Sequence, residues 1–273
     1  MRQSNPQEVR QIMRTAIRQE YDERGYVIVR NAIDAALAQE TAEHVHWLAK
    51  RHPDTRPEKF GHDMLVTDPF MHRLVGDERL LDIVEQFLGP DIAMFAAHYI
   101  AKPPKHGQEV LWHQDGSYWP LEPMEVTTIW LAATASTREN GCMRVLPGTQ
   151  NNRLLSRREM VDVPDGKNVL SSGIHPSQID DSDVVDLELQ PGDVSIHNPR
   201  IIHGSKPNTS DNWRIGLTLR YIPTSTWVKR ETHASIFLRG EKDASVKNLY
   251  AARPSYDSAV HMPFRGMDAW LPA

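Results

Sequence analysis

The sequence predicts a mainly β protein, a sandwich or barrel preceded by a helical third, and three observations carry that prediction. From about Ile92 the hydrophobic period moves toward two, in short β-branched and aromatic runs separated by Pro, Gly and Asn. Trp213 to Tyr221 alternates throughout: Trp213, Ile215, Leu217, Leu219 and Tyr221 fall on one face, and Arg214, Gly216, Thr218 and Arg220 on the other. Residues 1–90 instead show helical spacing with caps and stops.

Taken in order, residues 7–24 read as a polar helix and Gly25 to Val29 as a short strand. A second helix covers Ala35 to Arg51, entered past Asn31 and Asp34 as capping residues, with Leu37, Val45 and Leu48 on one side. A third covers Glu78 to Leu88 and stops at Gly89-Pro90, a pair suited to a helix end. Val184 to Leu189 alternates, Pro191-Gly192-Asp193 makes a turn, and Val194 begins the next strand. Residues 151–183 are polar and weakly periodic, which fits a long excursion between strands, either a functional lid or disordered. The 19 prolines and 15 glycines are scattered rather than gathered into a linker. Residues 1–273 are therefore expected to form a single domain, with a helical part to about 90, a β core over about 91–222 and a C-terminal extension over 223–273.

Composition narrows the function classes. With 31 basic and 36 acidic residues mixed along 273, a net charge of −5, there is no basic stripe to drive nucleic-acid binding. The single cysteine, Cys142, cannot form an intrachain disulfide, which fits a reducing compartment. The N-terminus has no apolar signal core, and no apolar run reaches the roughly 18 residues of a membrane span. The expectation is a cytoplasmic protein without a membrane partner; the sequon at Asn208-Thr209-Ser210 would matter only in a secreted chain. GxGxxG, P-loop, HExxH and GxSxG motifs are all missing, so dehydrogenase, NTPase, zinc protease and α/β-hydrolase readings have no support. Oligomeric state is not legible.

Thirteen histidines invite a search for metal ligands, although most must be ordinary structural or surface residues. His-x-Asp on extended chain puts imidazole and carboxylate on one side, and two such pairs occur. His52-Pro53-Asp54 lies in a proline-rich connection and reads as a loop. His113-Gln114-Asp115 opens the β-rich part in LWHQDGSYWPL, with aromatics to shield a site. A second histidine would complete the two-histidine, one-carboxylate set of non-haem Fe(II) oxygenases. His203 follows the strand begun at Val194 and, if extended, shares a face with Ile201 and Ser205. Eleven residues later comes Arg214, and a turn through Pro207-Asn208-Thr209 is expected to bring the two strands side by side. A buried guanidinium near such a metal needs an anion.

The tracts HQDGSYWPLEP, NGCMRVLPGTQ and LQPGDVSIHNPRIIHGSKPNTSDNWRIGLTLRY, preceded by DERGYVIVRNAID and LGPDIAMFAAHYIAKPP, run in one characteristic order over about residues 20–222. In this the sequence resembles the phytanoyl-CoA dioxygenase family of Fe(II)- and 2-oxoglutarate-dependent oxygenases. The resemblance implies a double-stranded β-helix (a jelly roll, cupin-like) with N-terminal α-helices packed outside. It implies Fe(II) on His113, Asp115 and His203, and 2-oxoglutarate held by its distal carboxylate on Arg214 with support from Ser205. Guanidinium is the appropriate donor for a carboxylate, since it offers a planar fork where lysine offers a point charge. Trp130, Gln114 and His98 are expected near this cosubstrate, with barrel packing the competing role for Trp130 and His98. Gly116, Ser117, Tyr118 and Trp119 follow the ligand pair and are expected either on the substrate side or in β core and turn.

The activity implied is hydroxylation of an unactivated C–H in a small molecule, coupled to conversion of 2-oxoglutarate and O2 to succinate and CO2, as in natural-product biosynthesis. Asp115 disfavours halogenation, for which the family's halogenases carry a small residue there. Desaturation, epimerisation or ring rearrangement would use the same iron chemistry. An acyl-CoA substrate would need a phosphate patch, for which Arg157, Arg158, Lys229 and Arg230 are the residues available. Two readings from other classes remain: a cupin-like metalloenzyme that does not use 2-oxoglutarate, in which Arg214 has no evident anion, and a non-catalytic binding module, against which stand the four intact residues.

Overall fold

The computed structural model describes residues 6–163 and 168–272. Its first part runs α1 (Pro6–Arg24), β1 (Tyr26–Val29), α2 (Ala35–Arg51), α3 (His62–Leu65), α4 (Pro69–Val75) and α5 (Glu78–Leu88). There follow β2 (Ile92–Tyr99), β3 (Val110–His113), β4 (Leu121–Glu122), β5 (Thr127–Ala132), β6 (Met143–Leu146), β7 (Val161–Asp162) and β8 (Ser172–Gly173). The remainder is β9 (Val185–Leu187), β10 (Val194–His197), β11 (Ile202–Ser205), β12 (Gly216–Pro223), β13 (Trp227–Val228), β14 (Ala234–Arg239) and β15 (Leu249–Tyr250).

The helices begin and end for local reasons. Asp34 caps α2 by accepting from the Leu37 amide at 2.7 Å, and Asp68 and Asp77 cap α4 and α5 in the same way. Helix α5 ends on Gly89, whose φ of 80° suits glycine, followed by Pro90. His52-Pro53-Asp54 lies exposed in the connection after α2, away from any strand.

Two sheets face each other as a double-stranded β-helix. The larger has the order β1-β10-β5-β12-β2-β14-β15 and the smaller β3-β11-β6-β9. The period-two reading of Trp213 to Tyr221 holds in detail. Ile215, Leu217, Leu219 and Tyr221 join Leu37, Val45, Phe70, Leu74, Leu80 and Val84 in the main apolar core, so the helices cover the outer face of the large sheet. Arg214, Thr218 and Arg220 point instead into the space between the sheets. Burying that much branched apolar surface is the main force holding helices to sheet, at about 25 cal/mol per Å².

The chain on either side of the central β region contributes directly to it. Strand β1 extends the large sheet by pairing with β10, while β14 and β15 add strands at the other end. Tyr256, Met262 and Phe264 complete the core beside α2 and α4. Within the 151–183 excursion, the described residues fold back on the small sheet: β7 pairs with β8, and the Ile174 amide donates to the Trp112 carbonyl at 2.7 Å. Among the described residues, no helix is long and apolar enough to cross a membrane.

One expectation fails here. The strands carrying His203 and Arg214 do not lie side by side, because β11 belongs to the small sheet and β12 to the large one. Arg214 stands just before β12, bridged to Lys102. The two residues therefore meet across the interior rather than along a hairpin.

Candidate metal centre

His113 and His203 sit opposite each other in the antiparallel pairing of β3 with β11, with ring centroids 4.1 Å apart. Each Nδ1 faces a backbone carbonyl two residues back, Leu111 at 2.7 Å and Ile201 at 3.1 Å. With Nδ1 as the donor, each Nε2 keeps its lone pair and aims it inward. Asp115, in the 3-10 turn directly after β3, brings Oδ1 to 3.3 Å from His113 Nε2 and 3.9 Å from His203 Nε2. One donor atom from each of the three residues lies within 4.8 Å of the others, and all three side chains are buried.

Electrostatics agree with this geometry. Burial opposes the Asp115 charge, but Arg220 and the imidazoles of His113, His197 and His203 hold the carboxyl well below its usual range. Burial and the neighbouring His113 push His203 well below the ordinary histidine value, so it is neutral. The Asp115 Oδ2 atom has no hydrogen bond. Two imidazole nitrogens and an ionised, under-satisfied carboxylate converging on one point fit a divalent first-row metal, with open positions for other ligands.

The cavity facing these donors is lined at its other end by Arg214, Ser205 and Trp130. Arg214 is fully buried and has no carboxylate partner among the described residues. It donates Nη1 to the Gly141 carbonyl at 2.5 Å and Nη2 to the Ile100 carbonyl at 2.8 Å, leaving Nε unpartnered. Burial lowers its pKa to about 10, which leaves it charged at neutral pH. Its guanidinium lies 5.2 Å from the Trp130 ring centroid. Ser205 Oγ accepts from the buried Lys102 Nζ at 2.7 Å.

The other expected residues divide. His98 lines the cavity with Nε2 tied to the Glu58 carbonyl at 2.9 Å, and burial lowers its pKa to about 4. Gln114 does not reach the cavity. Its amide donates to the Arg153 and Arg200 carbonyls and accepts from the Leu155 amide, so it fastens the start of the excursion instead. This corrects the cosubstrate expectation: the side chain leaves β3 on the side opposite its two neighbours, as strand alternation requires. Of the residues that follow, Gly116 packs against Leu154, Tyr118 donates to the Ser172 carbonyl at 2.8 Å, and Trp119 lies under Arg220. None of Gly116, Ser117, Tyr118 and Trp119 lines the metal cavity, while Trp119 lines a neighbouring groove. Of the four cations that an acyl-CoA would call on, Arg157 is paired with Asp162 and Lys229 with Glu122.

Sequence reading passed over three residues here. His197, at the end of β10, brings Nε2 to 3.5 Å from Asp115 Oδ2, with neither ring nitrogen hydrogen-bonded. Arg220 brings Nε to 3.9 Å from the same oxygen. Lys102 stands behind Ser205. Arg220 was legible in principle, since it shares the alternating face of Arg214; His197 and Lys102 carried no such signal.

A jelly roll enclosing a two-histidine, one-carboxylate cluster opposite a buried arginine defines the class. The phytanoyl-CoA dioxygenase (PhyH) family model matches residues 21–216, and the chain belongs to that family. It is 32% identical over 166 residues to the phytanoyl-CoA dioxygenase domain-containing protein 1 homolog of Dictyostelium discoideum, covering 60% of this chain and 58% of that one. It is 29% identical over 154 residues to a probable alpha-ketoglutarate-dependent hypophosphite dioxygenase of Stutzerimonas stutzeri, covering 56% and 53%. These alignments span little more than half the length of the relatives. Among solved structures, the apo form of the non-heme monooxygenase ThoJ superposes with a TM-score of 0.73 at 23% identity, covering 86% of this chain and 87% of that one.

Proposed function

We propose that the protein is an Fe(II)- and 2-oxoglutarate-dependent dioxygenase that hydroxylates a C–H bond of a small molecule in a cytoplasmic setting. The observation that carries this reading is the opposition, across one buried cavity, of the His113, Asp115 and His203 donors to an arginine with no carboxylate partner among the described residues. Family membership and the likeness to the Stutzerimonas protein named a probable alpha-ketoglutarate-dependent hypophosphite dioxygenase support it.

In this reading His113, Asp115 and His203 hold Fe(II), and Arg214 with Ser205 receives the distal carboxylate of 2-oxoglutarate. Bound iron supplies the redox chemistry, in which O2 and 2-oxoglutarate give succinate and CO2 while the second oxygen atom enters the substrate C–H to make an alcohol. The protein's own residues orient and insulate. The Leu111 and Ile201 carbonyls fix the imidazoles, Trp130 walls the cosubstrate position, and Lys102 holds the Ser205 hydroxyl as acceptor so that its proton faces the cavity. The free anion position on Arg214 favours this reading over a cupin-like enzyme without 2-oxoglutarate.

The test is anaerobic titration of the Fe(II)-loaded protein with 2-oxoglutarate, following the weak visible charge-transfer band that chelation produces. The expected result is a saturable band, and at least a tenfold higher half-saturation in Arg214→Lys with iron affinity unchanged. Iron binding without the band would overturn the cosubstrate assignment.

A further inference from the structure

Arg220 lowers the Asp115 pKa through its charge, but it does so without a hydrogen bond to that carboxylate. Its side chain is 12% exposed, its guanidinium lies 5.2 Å from the Trp119 ring centroid, and it makes no hydrogen bond to any described residue. The nearest carboxylate oxygen, Asp115 Oδ2, is 3.9 Å from Nε, outside hydrogen-bond reach, while Oδ1 is the oxygen that faces the His113 and His203 Nε2 atoms. The guanidinium stays charged and its Nε donor is buried without a partner, which is costly unless an outside acceptor arrives, while its remaining donors are open to one.

Arg220 forms part of the wall between the metal cavity and a second, more open groove. Lys59 and Arg230 line that groove as exposed cations, and Asp63 is its only acid among the described lining residues. Phe95 and Trp119 give it an apolar side. His62 and His233 stack there at 4.6 Å, each with Nε2 tied to a backbone carbonyl, of Ala234 and Phe95 respectively. The groove thus combines the cations Lys59, Arg220 and Arg230 with an apolar side.

We propose that the primary substrate carries an oxyanion, a carboxylate or phosphate ester, which Arg220 binds so that the attached carbon skeleton reaches the metal cavity from the Trp119 side. That the skeleton is then oxidised rests on the function proposed above; the anion site does not.

Trp119 serves as the reporter. Tryptophan emission is followed while sodium acetate or inorganic phosphate is added at constant ionic strength, first to metal-free protein and then with Fe(II) and saturating 2-oxoglutarate under argon. The expected result is a saturable change in both conditions, lost in Trp119→Phe. Half-saturation should rise at least tenfold in Arg220→Met and about threefold in Arg220→Lys, which keeps the charge without the fork. The tighter of the two anions identifies a carboxylate or a phosphate substrate. No saturable change in the wild type, or unchanged half-saturation in both Arg220 variants, would overturn the proposal. Expulsion of the anion by 2-oxoglutarate would also overturn it, by giving Arg220 to the cosubstrate. If the charge-transfer band is missing, the oxygenase reading fails while the metal-free titration still decides the anion site.

Discussion

The Arg214 guanidinium stands over the Trp130 ring, 5.2 Å from its centroid, and Gly216 is what allows the two to meet. A Cβ on Gly216 would overlap the Trp130 ring. Gly216→Ala should therefore push the ring toward Arg214, costing about 1–3 kcal/mol of stability through overpacking and raising the 2-oxoglutarate half-saturation several-fold. Chemical denaturation and the anaerobic titration measure the two effects; an unchanged titration would remove Trp130 from the cosubstrate wall.

His203→Ala should abolish Fe(II) binding, because two donors do not hold the ion, while the metal-free protein remains folded at neutral pH. The imidazole it loses is neutral and buried, so the expected stability change is about 1–3 kcal/mol, the cost of a cavity and a released carbonyl. Calorimetric titration with Fe(II) under argon checks the first claim and a thermal melt the second. Iron binding of wild-type strength would sink the ligand assignment.

Gln114→Ala should act on the excursion rather than on the cosubstrate. Its amide holds Arg153, Leu155 and Arg200, and removing it leaves those backbone groups unmatched at about 1–3 kcal/mol. Tryptic cleavage at Arg153, Arg157 or Arg158 should speed up while 2-oxoglutarate affinity stays within twofold. A large affinity loss without faster cleavage would restore Gln114 to the cosubstrate.

Acid should destabilise the fold partly through His62. Burial lowers its pKa from 6.5 to about 4, so as pH falls below 6.5 the unfolded chain takes up this proton before the folded one does. The stability contributed is present above pH 6.5 and is lost as pH falls through about 4, on the order of 3 kcal/mol at most. His62→Gln keeps a donor for the Ala234 carbonyl without titrating, so stability measured by denaturant between pH 6.5 and 4.5 should fall less steeply. His98, shifted in the same direction, leaves a residual slope. Equal slopes in the two proteins would show that His62 is not the group responsible.

Much of this architecture is legible before any coordinates. Asp34 and Gly89 mark helix ends through local hydrogen bonding and backbone preference, which need only near neighbours in the chain. The alternation over Ile215 to Tyr221 separates core from cavity because a strand's side chains change sides at every residue. His113 and Asp115 are paired by the same rule, which sends Gln114 between them to the opposite side.

What sequence alone determines is thus the face of each element, its ends and the types of donor available. Which faces meet was decided by tertiary structure. The placement of β11 and β12 in opposite sheets sets His203 against Arg214 across the cavity, and no local signal predicts it, because it depends on strand pairings between residues far apart in the chain. The same pairings bring Lys102 behind Ser205 and His197 and Arg220 to Asp115. Each of these residues is unremarkable in its own segment, and its chemistry arises only when burial removes water and leaves another side chain, or a ligand, as its partner.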